Sequence, residues 1–572
     1  MSYVRFYSTA SFTLGTDGNT QLWNGASGSK LEYSTDTSTW TTWDASAPIS
    51  AALDSNTNKY NLYLRGTQLY ALVPFNINLF PRYIFTGTQP IDSEGVLGSL
   101  FNYTSVDNDT HNFSLQTGAC AYMFYNQTLL RTAPDIDFNI SANYVFNGMF
   151  RGCTGLISAP SFLMSGSSAR AYCCNEMFYG CTSLTSAPEL SPTILANYCY
   201  AYMFYGCTSL TTAPALPATT LANYCYATMF QGCTSLTTAP ALPATILANS
   251  CYSTMFQNCT SLTTAPQLPA TTLASSCYQG MFQGCISLTT APALPATTLA
   301  SSCYQRMFQG CTSLAAAPSI LPAISLTDRC YQNMFSGCTS LTTSPELPAT
   351  TLNSACYIDM FLGCTSLTTA PELPATKLTN NCYESMFYDC TSLTIPPKLP
   401  ATILANRCYY GMFAGCASLE SLPELFVTTL TDYCYEYMFS NSGIELSTTQ
   451  HDDYTVAYRI PSSGTGTLGT DSLSNMFYNS GISTPSINTT YYVNVPVISS
   501  KIKYMATKSE ITSIATAIRE KTGNSISLTY PDDFISEIDG IQPGEITAFY
   551  SGSSLPASSL GVNGDLYTYT GS

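Results

Sequence analysis

The chain has little charge, little histidine and no long apolar run. Only 9% of its 572 residues are charged, and 19 Lys plus Arg stand against 35 Asp plus Glu, which gives a net charge of -16. This balance removes the counterion release on which binding to nucleic acids and anionic membranes depends. No stretch reaches the roughly 18 apolar residues of a membrane span. The sequence therefore predicts neither a nucleic-acid partner nor membrane insertion.

The scarcity of histidine and the placement of the acids argue against an enzyme. His111 and His451 are the only histidines and lie far apart, so a histidine-based catalytic triad is not expected. The acid pairs at 452–453 and 532–533 are adjacent residues, whereas a glycosidase holds two carboxyl groups across a cleft. The segment VDNDTHN at 106–112 lacks a regular calcium-ligand spacing. We expect no catalysis, no metal and no cofactor.

The centre of the chain is a repeat. The dipeptide Met-Phe recurs mostly every 26 residues, and a representative unit at 221–244 reads LANYCYATMFQGCTSLTTAPALPA. A fixed period of this length is typical of a solenoid. The 14 copies of the dipeptide begin at Met123, Met149, Met177, Met203, Met229, Met255, Met281, Met307, Met334, Met360, Met386, Met412, Met438 and Met476.

Comparison of the copies predicts a helix, a strand and a corner in each coil. The second residue after each Met-Phe is always Gly, Asn or Asp, which predicts that Gly232, for example, has positive φ at a helix end. The following TSLTTAP segment favours a short strand, and Thr220 is placed to cap the next helix. At 100° per residue the fixed positions share one helical face, which we expect to be core. In one coil these are Leu195, Cys199, Tyr200, Met203, Phe204 and Cys207.

Of the 24 cysteines, 22 fall in two columns of the repeat. Cys199 and Cys207 would lie about 12 Å apart on a helix, too far for one disulfide or one zinc ion. Ala119, Val145 and Ser442 fill these columns in the degenerate copies. Buried, reduced thiols are the favoured interpretation, and disulfides between coils or a metal site are the alternatives.

The repeat resembles a known family. The pattern Cys-Tyr-x-x-Met-Phe-x-Gly-Cys-Thr-Ser-Leu-Thr-Thr-Ala-Pro is similar to BspA-like leucine-rich repeats, and the resemblance covers about 116–490. It implies a curved α/β solenoid used for adhesion, found in bacterial surface proteins and in gut-phage particles. It identifies no ligand.

The two ends differ from the centre. Trp23, Trp40 and Trp43 lie in alternating segments, which predict a small all-β domain. Helical spacing predicts a helix at 509–522, and Asn563-Gly564 predicts a hairpin turn. The predicted domains are an N-terminal β domain at 1–72, a connection and solenoid cap at 73–115, an α/β solenoid of leucine-rich-repeat type at 116–490, a helical segment at 491–542 and a C-terminal hairpin or tail at 543–572.

The C-terminal region and the repeats together suggest a phage particle. EITSIATAIREKTGN and the final SSLPASSLGVNGDLYTYTGS resemble elements of tailed-phage structural proteins and fibres. We predict a virion structural protein, a fibre or appendage for host attachment, assembled in the host cytoplasm because no signal peptide is found. Its expected partners are other virion proteins and a host-surface glycan or protein, and assembly as a trimer is open. A scaffold-type capsid, baseplate or tail protein is the alternative, followed by a bacterial surface adhesin.

Tyrosines mark the expected contact surface. The positions that vary between copies fall on the predicted outward arc, which is rich in tyrosine. Tyrosine offers contact area and a hydroxyl at low entropic cost. The candidate receptor-binding residues are Tyr198, Tyr202, Tyr205, Tyr224, Tyr388, Tyr410 and Tyr437.

Overall fold

A computed structural model describes most of the first 494 residues and two short strands near the C-terminus. The chain divides into one unit at Met1–Val495 and a second at Pro496–Ser572. The described residues are 3–16, 30–67, 82–97, 99–102, 106–107, 110–111, 117–136, 142–161, 168–451, 454–479, 482–494, 549–552 and 566–569.

Among the residues that the structure describes, one helix and sixteen strands lie outside the regular 26-residue coils. No described helix is long and apolar enough to cross a membrane. The elements are β1 Val4–Ser8, β2 Phe12–Thr16, β3 Lys30–Ser34, β4 Thr41–Thr42, β5 Ile49–Ser50, β6 Ala52–Asp54, β7 Lys59–Thr67, β8 Tyr83–Gly87, β9 Asp92–Gly95, α1 Ser99–Asn102, β10 Val106–Asp107, β11 Thr110–His111, β12 Glu445–Ser447, β13 Tyr454–Arg459, β14 Thr490–Asn494, β15 Phe549–Gly552 and β16 Leu566–Tyr569.

Two antiparallel sheets form the N-terminal region. One has the order β4-β3-β7-β1-β9 with β6 also paired to β7, and the other has the order β5-β2-β8. Residues of β1 alternate between buried and half-buried, as expected for a strand with one face in a core. Phe6 of β1 and Phe12 of β2 both pack against Phe85 of β8. The sheets thus continue past residue 72, where the sequence placed the end of the β domain.

The helix predicted in each coil is wrong. In the coil that follows Leu195, residues 197–206 form consecutive turns. The amides of Cys199 and Ala201 donate to the carbonyl three residues earlier, but those of Tyr200 and Phe204 donate to the next coil, 25 residues along. An α-helix would direct every such amide to its own carbonyl four residues back. The segment is therefore a ribbon of turns whose remaining donors bind the neighbouring coil.

A left-handed residue at every fourth position prevents helix formation. Tyr198, Tyr202 and Gly206 have φ of 56°, 57° and 69°. Such residues interrupt a right-handed helix, in which every φ is negative. Gly232 has φ of 75°, so its predicted positive φ is confirmed, although it ends a turn ribbon and not a helix.

The predicted strand is reduced to single parallel bridges. Thr212 pairs with Thr238 of the next coil within the TSLTTAP segment. A second column of bridges pairs Thr220 with Ile246. Thr220 therefore joins coils at the corner, and its predicted role as a helix cap is wrong.

The predicted core positions are confirmed as buried. The rings of Phe204 and Phe230 stack with centroids 5.5 Å apart, and those of Tyr200 and Tyr226 at 5.8 Å. The same contacts continue from coil to coil, so the core is two parallel aromatic ladders flanked by Met, Leu and Cys. In one coil the buried residues, each at most 6% exposed, are Leu195, Cys199, Tyr200, Met203, Phe204 and Cys207.

Both ends of the phenylalanine ladder are covered by aromatic side chains. At the N-terminal end Tyr83 of β8 lies 5.5 Å from Phe124, and Ile91 forms a parallel bridge with Leu130. At the other end β12, β14 and β13 form an antiparallel sheet, which contains part of the insertion in the last coil. Tyr458 of β13 contacts Phe477 edge to face, with centroids 6.2 Å apart. The caps thus protect the terminal rings from solvent.

In the second unit β15 and β16 pair in parallel, with Phe549 opposite Leu566. The predicted helix at 509–522 and the predicted turn at Asn563-Gly564 lie outside the described residues. Both stay predictions.

The left-handed glycines are expected to differ in their tolerance of alanine. A Cβ at Gly232 would meet only Gly206, 3.7 Å away, whereas a Cβ at Gly284 would lie 2.2 Å from Oδ1 of Asn258. We expect Gly232→Ala to cost about 1–2 kcal/mol through its φ alone. Gly284→Ala should cost at least about 1 kcal/mol more, because the Asn258 side chain must also move.

Chemical unfolding of the two single variants and of Gly284→Ala with Asn258→Gly measures this difference. The Asn258→Gly background should remove the extra cost. Equal costs for both glycines in the native background would contradict the steric account.

Candidate ligand-binding surface

In four successive coils tyrosine occupies the first left-handed position of the turn ribbon, where its side chain is half-buried or exposed. The rings of Tyr144, Tyr172, Tyr198 and Tyr224 stack in succession with centroids 4.5, 4.7 and 4.7 Å apart. The rings lie within 11° of parallel. We call these four residues the tyrosine ladder.

A second stack runs beside the tyrosine ladder. Tyr179 and Tyr205 lie 4.4 Å apart, and the guanidinium of Arg151 lies 4.3 Å from the centroid of Tyr179. Arg151 is also ion-paired with Glu176. The ring faces within both stacks are covered, so mainly ring edges and hydroxyls contact solvent. Partial burial raises the pKa of Tyr198 and Tyr179, which keeps these hydroxyls protonated near neutral pH.

Both stacks end within about one coil of each other. Along the 26-residue period Tyr224 is followed by Ser250, Tyr205 by Gln231 and Tyr202 by Thr228. Tyr224 is 38% exposed and Tyr202 is 37% exposed. We call Tyr202, Tyr205 and Tyr224 the aromatic step, because the corresponding residue of the following coil is smaller in each case.

Hydrogen-bonded amides continue the surface beyond the aromatic step. The Nε2 of each glutamine donates to Oε1 of the corresponding glutamine one coil on, at 2.8 to 3.0 Å. All these side chains are half-buried. The two glutamine ladders are Gln257, Gln283 and Gln309, and Gln279, Gln305 and Gln332.

The seven candidate tyrosines fall into two separate groups. Tyr198, Tyr202, Tyr205 and Tyr224 lie together on neighbouring coils. Tyr388, Tyr410 and Tyr437 lie together further along the array. Seven repeats separate Tyr205 from Tyr388, which is about 34 Å at the usual spacing of stacked strands.

The second tyrosine group has a different environment. Arg407 lies 4.0 Å from the ring centroid of Tyr410 and pairs with Glu384 at 3.4 Å. The Tyr410 ring contacts Tyr437 edge to face at 5.7 Å, and Asn475 donates to the Tyr437 hydroxyl at 3.2 Å. Tyr410 and Tyr437 are thus held by cation–π, aromatic and hydrogen-bond contacts, not by stacking in a ladder.

Sequence reasoning missed part of this surface. Tyr144 and Tyr172 occupy the Tyr198 position of earlier copies, and Tyr179 occupies the Tyr205 position. The glutamines likewise recur at intervals of 26 or 27 residues. These recurring tyrosines and glutamines could have been found by comparing the variable positions along the array as well as the fixed ones.

The cysteines belong to the core and not to the surface. All 24 are free and buried. In the second cysteine column the thiol donates to the Phe carbonyl of the preceding coil, as Cys233 does to Phe204 at 3.1 Å. Burial raises the pKa of the Cys233 thiol to about 12. Among the residues that the structure describes, no three His, Cys, Asp or Glu side chains form a group that could hold a metal ion.

Comparison with known proteins identifies the repeat. The family model described as BspA type leucine-rich repeat region (6 copies) matches residues 117–263, 168–289, 229–357 and 328–457, together more than half of the chain. The chain belongs to this family. BspA-type repeats are generally surface-associated adhesion modules, and leucine-rich repeats are non-catalytic interaction modules. No curated protein and no solved structure matches the chain.

Proposed function

We propose that this BspA-type protein is a non-enzymatic virion component, a fibre or appendage whose tyrosine surface attaches a phage particle to its host. The observation that carries the proposal is the contrast between the two sides of the turn ribbon. The inward positions keep the same Cys, Tyr, Met and Phe in nearly every coil, while the outward positions change from coil to coil. Freedom to vary on a rigid frame suits a recognition surface.

The physical properties of the tyrosine group support attachment. Stacking fixes the rings before a ligand arrives, so binding orders few additional side chains. The surface has little charge, which favours contacts through hydroxyls and ring edges. The proposed partners are a glycan or protein of the host surface and other proteins of the virion. Whether the chain assembles as a trimer is an open question.

A triple variant, Tyr198→Ser, Tyr202→Ser and Tyr224→Ser, tests the proposal. Serine already occupies the Tyr198 position at Ser250 and Ser276 with φ of 52° and 53°, so the backbone should accept it. If each lost aromatic contact removes about 1 kcal/mol of binding, adsorption of particles to host cells should fall at least about tenfold.

The matched control carries Thr238→Ala, Thr264→Ala and Thr290→Ala, three exposed positions at the first column of bridges. This control should adsorb normally. Normal adsorption of the tyrosine variant would refute the proposed surface. Loss of particle assembly in the tyrosine variant would support the scaffold alternative, in which the array packs against other virion proteins.

A further inference from the structure

We propose that the surface beyond the aromatic step binds an acidic oligosaccharide that lies along the array. This inference rests on the proposed attachment function and names its ligand class. The site, which we call the shelf, begins at the aromatic step, has the glutamine ladders as its floor and ends at Arg306 and Arg329. Ser276 and Ser302, both half-buried, complete the floor at the Tyr224 position of later coils.

The aromatic step supplies exposed ring surface, unlike the interior of the tyrosine ladder. Tyr224 stacks on Tyr198 on one side, and Ser250 is the corresponding residue on the other. Ser250 is too small to cover a phenol ring. The face of an aromatic ring carries partial negative charge and attracts the partly positive C–H groups of a pyranose. The step can therefore stack against one sugar unit at the end of a chain.

The glutamine ladders supply hydrogen-bonding groups along the floor. Gln283 accepts from Gln257 and donates to Gln309, at 2.8 and 3.0 Å. An amide has two N–H donors and two acceptor lone pairs, so each such glutamine keeps one of each for a ligand. Because the ladder fixes the amides, sugar hydroxyls would meet donors and acceptors already in place.

Two free guanidinium groups mark the far end. Arg306 and Arg329 lie on successive coils and are exposed. Elsewhere in the array Arg151 pairs with Glu176 and Arg407 with Glu384. Within the described ranges neither Arg306 nor Arg329 forms an ion pair or a side-chain hydrogen bond. A guanidinium group binds a carboxylate or sulfate group by charge-assisted hydrogen bonds.

The dimensions and polarity of the shelf favour a glycan over a peptide. Arg329 lies four coils beyond Tyr224, about 19 Å at the usual spacing of stacked strands, which suits a short oligosaccharide. The floor is amide and hydroxyl, without the deep apolar pockets in which peptide anchor residues are usually buried. The net charge of -16 opposes general attraction of polyanions, so binding would require the local guanidinium pair.

Direct binding of the full chain to acidic hexasaccharides tests this assignment. The probes are oligogalacturonate and a sulfated hexasaccharide, each paired with its carboxyl-reduced or desulfated form. We expect at least tenfold tighter binding of one acidic form than of its neutral form, with affinity falling as salt rises. Arg306→Gln with Arg329→Gln should abolish this preference, whereas Lys377→Gln, which removes an exposed cation at the second bridge column, should preserve it.

The outcomes separate this inference from the attachment function. Equal affinity for acidic and neutral forms, no binding of any probe, or an unchanged preference in the double arginine variant would overturn the acidic-glycan assignment. Equal or tighter binding of a glutamate-rich peptide would replace it by a peptide partner. In each case, adsorption of particles that depends on the tyrosines would leave the attachment function standing, and normal adsorption of the tyrosine variant would remove both proposals.

Discussion

Above about pH 8.5 the array is expected to lose stability steeply. Its buried thiols stay protonated in the folded chain, while the thiols of the unfolded chain ionise and stabilise the unfolded state. The pKa of 23 of the 24 thiols is raised by burial, and those of Cys233 and Cys311 rise to about 12. Cys173 is the exception, since a hydrogen bond with Cys174 lowers its pKa. The pKa of a thiol in an unfolded chain is about 8.5.

The direction follows from which state releases protons first. A group whose pKa is raised on folding keeps its proton in the folded chain while the unfolded chain loses it. The stabilisation is complete below about pH 8.5 and is lost as the pH rises toward the folded pKa. Each thiol then removes about 1.4 kcal/mol per pH unit, and the many thiols of the array act together.

Urea unfolding at pH 7, 8, 9 and 10 in a reducing buffer measures this effect. The midpoint should begin to fall between pH 7 and pH 8 and drop sharply above pH 8, with the array unfolded by about pH 10. Cys233→Ser, which keeps a donor for the Phe204 carbonyl, should fold and slightly reduce the slope. Stability unchanged at pH 10 would contradict buried, protonated thiols.

Thiol counting tests the reduced state separately. A thiol reagent at pH 8 should modify almost none of the cysteines in the folded protein and nearly all 24 after denaturation. Fewer than half of the thiols free in the denatured chain would establish disulfides and refute the reduced array.

Phe282→Ala is expected to cost about 3–5 kcal/mol and to divide the unfolding of the array into two steps. The Phe282 ring is fully buried between Phe256 and Phe308, at centroid distances of 5.7 and 5.6 Å. Its removal leaves a cavity that backbone hydrogen bonds on both sides prevent from closing. Because each coil contacts mainly its neighbours, the lost coupling is local, and the two halves should separate.

Calorimetry or chemical unfolding followed by proteolysis reads out both effects. Phe426→Ala is the matched control, since Phe426 is 50% exposed and lies outside the ladder, and it should change stability by less than about 0.5 kcal/mol. A cost below about 1 kcal/mol for Phe282→Ala would mean that the aromatic ladder does not hold the coils together.

The helix prediction placed the core correctly and assigned the wrong backbone because two periods resemble each other over a short segment. Cys199, Met203 and Cys207 recur every four residues, and a helix repeats every 3.6. Over two turns both patterns bring these positions to one side. The left-handed residues distinguish the two patterns, but only the Gly206 column is restricted to Gly, Asn and Asp, whereas the columns of Tyr198 and Tyr202 also contain residues such as Tyr, Ser, Thr and Arg.

The boundary at residue 72 shows a different limit of local pattern. The segment that holds β8 and β9 has no distinctive alternation, yet both strands complete the sheets begun by β1 and β2. Long-range pairing fixes their place, and such pairing leaves no local signature.

The sequence by itself determined the 26-residue solenoid, the buried columns and the positive φ of Gly232, because a repeated chain must place its fixed apolar positions in a shared core. Only the tertiary structure decided how each coil satisfies its backbone. Alternate amides bind the next coil, as Tyr200 does, so the ribbon exists only when coils are stacked. The same stacking arranged Tyr198 and Tyr224 into a ladder and left Tyr224, at its end, partly exposed.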